Sequence, residues 1–139
     1  MINSVVGIQR ISQKLANLTQ LYLMYCKSLT GNAFNEIDNL KSLGVLKLCF
    51  CESLNTEGTN RKLNLQLICY LALSKIGLAT SLKILDISNC PLIDDDSLKH
   101  LKTLTNLETL VLTKCILITS DGVSDLVNHI TDLQIIRNN

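Results

Sequence analysis

Leu107-Glu108-Thr109-Leu110-Val111-Leu112-Thr113-Lys114-Cys115-Ile116-Leu117-Ile118 is the stretch whose reading decides the fold. Leu110 and Leu112 alternate with period two, so both point to one side of a short strand while Thr109, Val111 and Thr113 point to the other. The same phrase, L-x-x-L-x-L-x-x-C-x-x-[LI], occurs three more times, as Leu18-Leu21-Leu23-Cys26-Leu29, Leu43-Leu46-Leu48-Cys51-Leu54 and Leu82-Leu85-Ile87-Cys90-Ile93. A fifth copy starts at Leu133 and is read with Ile136 as its second apolar position. The copies begin at residues 18, 43, 82, 107 and 133 of 139.

Behind each phrase, apolar residues recur three or four apart, the spacing of one helical face. Examples are Phe34, Ile37 and Leu40, then Leu98, Leu101 and Leu104, then Val123, Leu126 and Ile130. One strand and one helix in about 25 residues cannot bury their own apolar side, so copies must stack and share a core. The expected fold is α/β: a short solenoid with a parallel sheet on its concave face and helices on its convex face, forming a single domain over 1–139.

The phrase resembles the leucine-rich repeat, specifically the cysteine-containing type found in F-box leucine-rich-repeat proteins of ubiquitin ligases. The resemblance covers nearly the whole chain apart from one insertion. It extends to an approximate [LI]-T-x-x-G-[LV]-x-x-L stretch, as in Ile118-Thr119, Gly122, Val123 and Leu126. It implies right-handed strand–helix units and a role in protein recognition, as an adaptor or substrate receptor. An F-box segment is not expected, because only about 17 residues precede the first phrase.

Six cysteines in a short chain raise the possibility of disulfides. Cys26, Cys51, Cys90 and Cys115, however, hold one place in the phrase and are expected to be small buried residues in stacked turns. Cys49 and Cys69 stand outside that pattern, and Cys49 is expected outside the core as the reactive thiol. Cys49-x-Cys51 lacks a second pair of zinc ligands at usual spacing, and His100 and His129 stand alone on expected helices. No metal or cofactor is expected. Asp94-Asp95-Asp96 precedes Leu98, where carboxylates cap a first helical turn.

The chain opens with the helix half of a copy, about residues 4–17, in which Ile8, Ile11, Leu15 and Leu18 form the apolar face and Asn3 or Ser4 the N-cap. The second copy carries about 14 additional residues within 55–81. There Asn60 could cap a helix from Arg61 to about Ile76, ended by Gly77. The middle of that helix, Leu67 to Leu73, is apolar almost all round, which calls for burial on every side. It packs over its neighbours, or meets a partner or a second subunit; a degenerate extra repeat is a third reading. The last strand has no helix after it, so this edge too could support self-association, with Arg137, Asn138 and Asn139 blunting it.

Composition agrees with a repeat. Leucine fills 28 of 139 positions, against 3 Tyr, 2 Phe and no Trp. A net charge of +1, with only Arg61-Lys62 as adjacent basic residues, gives no composed nucleic-acid face. The longest apolar run falls far short of the roughly 20 residues of a membrane-spanning helix. Residues 1–7 lack a basic n-region and a long apolar core, so a reducing cytoplasmic setting is expected, with a secreted effector as an alternative.

No Gly-rich phosphate loop, nucleophile elbow or paired histidine and carboxylate at a recognisable spacing occurs, so a non-catalytic module is expected. Its binding surface should be the strand positions the core does not use. The candidates are Tyr22, Met24, Tyr25, Lys47, Phe50, Asp86, Asn89 and Lys114, with Ile135 and Arg137 from the last strand. Aromatic anchors dominate protein interfaces, and three of the five aromatics fall in the first two rows. A protein partner bound there is the leading reading. The alternatives are a structural subunit or assembly factor of a large complex, and a bacterial effector that mimics a ubiquitin-ligase adaptor.

Overall fold

The computed structural model describes residues 5–26, 29–49 and 61–138, with side chains of the third segment from Cys69 onward. Phe50, Cys51, Leu54, the polar turn at 56–60 and the proposed caps Asn3, Ser4 and Asn60 lie outside the described residues. Five strands form one parallel sheet in sequential order: β1 (Gln20–Tyr22), β2 (Val45–Lys47), β3 (Ile84–Asp86), β4 (Thr109–Val111) and β5 (Gln134–Ile136). The centre of each of the first four strands is a leucine of the phrase, and Leu21, Leu46, Leu85 and Leu110 pair in one row. Val45 pairs with Ile84 across the 39-residue copy as it pairs with Gln20 across a 25-residue one, so the extra residues leave the ladder undisturbed.

The central strand residues are buried against helical segments, whereas their neighbours in β2, β3 and β4 remain partly accessible. One face of the sheet is thus covered by helices and the other is open, the layering by which a half-apolar sheet hides its apolar side. The segments are α1 (Val5–Lys14), α2 (Arg61–Ile76), α3 (Asp95–Leu98) and α4 (Ser120–Val127), with 3-10 turns at Gly31–Phe34, Ile37–Asn39 and Lys99–Thr103. The first copy has two 3-10 turns where helical spacing suggested one helix. Gly31, Asn32, Asn35, Asp38 and Asn39 crowd this stretch, and such residues compete poorly for α-helix. A single contiguous core runs from Ile8 to Leu133.

Packing revises the first helix. Its buried residues are Ile8 and Ser12, while Leu15, expected on the apolar face, follows the last helical turn and is exposed. The Ser12 hydroxyl is buried without a hydrogen-bond partner.

α2 lies across the helical layer, packed on both 3-10 turns of the first copy, on α3 and on Lys99–Thr103. It buries Cys69, Leu73 and Ile76 and leaves Tyr70 and Leu71 partly exposed. Close approach to the first copy depends on Gly31, because a Cβ there would stand 2.7 Å from the Leu71 Cβ. The end of α2 is tied down by the Thr103 hydroxyl, which donates to the Gly77 carbonyl at 2.6 Å.

The last strand is shifted from its expected register. Leu110 pairs with Ile135, not Ile136, so Ile135 packs against the core and Ile136 joins the open face. The apolar residues Leu133 and Ile135 are two apart where Leu107 and Leu110 are three apart. Asp132 absorbs the missing residue with a left-handed φ of 62°. Arg137 consequently leaves the open face and donates through Nη2 to the Ile118 carbonyl.

Candidate site on the open sheet face

Three rows of side chains cross the open face, following the register of the ladder. The middle row is Tyr22, Lys47, Asp86, Val111 and Ile136. The row before it is Gln20, Val45, Ile84, Thr109 and Gln134. Met24, Cys49, Ser88 and Thr113 continue past the strand ends. Tyr22, Met24 and Tyr25 are 54, 50 and 59% exposed, a concentration of accessible apolar surface at the β1 side of the sheet. The Tyr22 hydroxyl donates to Gln20 Oε1 at 2.6 Å, and Lys47 Nζ stands 5.4 Å from the centre of the Tyr22 ring. A cation over an aromatic face is attracted by the ring quadrupole, so the ring is held from both its edge and its face.

Asp86 is occupied differently. Its Oδ1 accepts from the Ser88 amide at 3.0 Å and from the Ser88 hydroxyl, so it serves the strand end rather than its register neighbour Lys47. Tyr25, Asn89 and Lys114 occupy equivalent places just before the repeated cysteine and share left-handed φ values of 55°, 57° and 59°. The Tyr25 and Asn89 amides donate to the carbonyls of Cys49 and Thr113 in the next strand, at 3.1 and 2.8 Å. These three are turn residues just past the strands. The signal for this was Asn89, the residue type that most readily enters the left-handed region after glycine.

The cysteines behind these turns form a ladder of their own. The Cys90 thiol donates to the Leu48 carbonyl at 3.2 Å and the Cys115 thiol to the Ile87 carbonyl at 3.1 Å, in each case the third apolar position of the preceding phrase. Cys26 donates locally to the Met24 carbonyl at 3.6 Å. All five described cysteines are buried. Cys49 departs from expectation here: it is 6% exposed, hidden at the strand end although outside the core cluster. Burial, reinforced by Asp94 and Cys115, pushes the Cys69 thiol from its ordinary 9 up to about 12, and burial also raises Cys115.

Among the described residues no group of three or more potential metal ligands converges. The three aspartates separate into three tasks. Asp94 Oδ1 caps α3 by accepting from the Ser97 amide at 2.9 Å and the Ser97 hydroxyl at 2.6 Å. Asp95 reaches the next copy, accepting from the Thr119 amide at 2.9 Å and the Thr119 hydroxyl at 2.6 Å, while Thr119 accepts from the Gly122 amide to cap α4. Asp96 pairs with Lys99 at 2.6 Å.

No protein-family model and no curated protein matches the chain. No helix among the described residues is long and apolar enough to cross a membrane. Two concavities lie among the described residues. An apolar cavity of about 50 Å³ lies between α2 and the sheet, lined by Leu29, Phe34, Leu48, Cys69, Ile87 and Cys90 among others. A polar groove of about 390 Å³ runs along the turns before β3, β4 and β5, where Lys83 and Glu108 pair with each other at 2.8 Å. Residues missed from sequence are Ile136, which the one-residue register shift brings to the open face, and the Asp95–Thr119 link between copies.

Proposed function

We propose that this chain is a short leucine-rich-repeat module of the cysteine-containing type, non-catalytic, that recognises a protein partner on the open, concave face of its sheet. The repeat reading is supported by the pairing of equivalent phrase positions in register and by thiols that donate to the same carbonyl position in successive copies. The functional reading is carried by one observation: Tyr22, Met24 and Tyr25 are about half exposed together, on a face that the core does not need. Large, ordered aromatic side chains at the centre of a patch are what interface hot spots are made of. Lys47 and Asp86 follow Tyr22 along the middle row, and Asn89 and Lys114 stand on the turns beyond the strands, where they add polar groups at the edge of the face. The resemblance extends this to an adaptor or substrate-recognition role of the kind served in ubiquitin ligases, in a reducing compartment that suits buried cysteines at repeated turn positions.

The test is capture of partners by wild type and by a Tyr22→Ala/Met24→Ala double variant, with folding checked by thermal melting. Loss of the captured proteins in the variant supports the reading. Equal recovery by both proteins refutes it.

A second reading, a subunit embedded in a larger assembly, is favoured by one feature. Tyr70 and Leu71, which border His100 and Gly31, leave part of their apolar surface on α2 uncovered. Sedimentation of wild type beside a Tyr70→Glu/Leu71→Glu variant separates the two: self-association relieved by the double variant supports the embedded subunit, and a concentration-independent monomer removes it.

A further inference from the structure

We draw no further inference here: the strongest candidate, the apolar cavity of about 50 Å³ between α2 and the sheet, has no charged group among the described residues that line it, and nothing in the structure shows what occupant it would take.

Discussion

At the level of single residues, the molecule carries several small local costs. Lys114 holds a left-handed backbone with a full side chain, which costs an L-residue roughly 1–2 kcal/mol. Lys114→Gly should raise stability by about 0.5–1 kcal/mol in urea denaturation, after the extra entropy of a glycine in the unfolded chain is subtracted. Asn89→Ala should lower it by about 1 kcal/mol, since asparagine tolerates this region and alanine does not. Ser12 is a second such cost, a hydroxyl buried in α1 with no partner. Burying an unsatisfied polar group costs about 1–3 kcal/mol, and Ser12→Ala should recover about 1 of it.

The thiols give the chain a pH dependence whose sign follows from burial. A thiol whose pKa is raised by folding stays neutral in the native state while the unfolded chain ionises. Stability is therefore full below about pH 9 and declines as pH rises toward about 12, where Cys69 itself ionises. Each raised thiol contributes a slope of up to about 1.4 kcal/mol per pH unit over its window. Denaturant midpoints measured between pH 8 and 11 should fall, and Cys69→Ala should flatten the fall while lowering the plateau through the cavity it enlarges. A midpoint that stays level across that range contradicts the assignment.

At the scale of elements, contacts between copies matter more than contacts within them. Gly31 lets the first 3-10 turn touch α2, so Gly31→Ala should cost about 1–3 kcal/mol by overpacking, and adding Leu71→Ala should return part of it. A non-additive double-mutant cycle is the check; simple additivity would place the strain elsewhere. Much of this level is legible in the sequence, and the exceptions have physical reasons. Period two in Leu21-x-Leu23 and its siblings marks the strands because only one face is buried. Gly77 marks where α2 stops. Period two fails at β5, since Ile135 and Ile136 are both apolar and only a one-residue deletion in the preceding turn decides between them. Helical spacing fails at Leu15, where the apolar pattern continues past the point at which the helix ends. Cys49 misleads because a strand-end position on the open face is read as exposed, while this one is buried. Left-handed φ at Tyr25 and Lys114 has no signal in residue type at all.

At the scale of the whole molecule, one core cluster among the described residues extends from α1 to the last strand. Leu110, fully buried at the centre of β4, should cost about 2–5 kcal/mol on substitution by alanine. The loss should appear as one transition at the same midpoint by circular dichroism and by tyrosine fluorescence. Separate transitions would mean that the two ends fold independently. The candidate face is less legible than the core at this scale. Its apolar members stand out because aromatics are scarce, but the pairing that engages Asp86 and leaves Lys47 over Tyr22 emerges only from the assembled register.

The undisturbed pairing of Val45 with Ile84 across the longest copy has a consequence for how such a molecule can change. Because the ladder keeps its phase whatever length of chain lies between two strands, material can be gained or lost on the helical side without moving a side chain on the open side. Recognition and attachment are then separate inheritances. A lineage could lengthen, exchange or delete the α2 region while the Tyr22 neighbourhood stays in place, and an engineer could graft a foreign segment there with the same freedom.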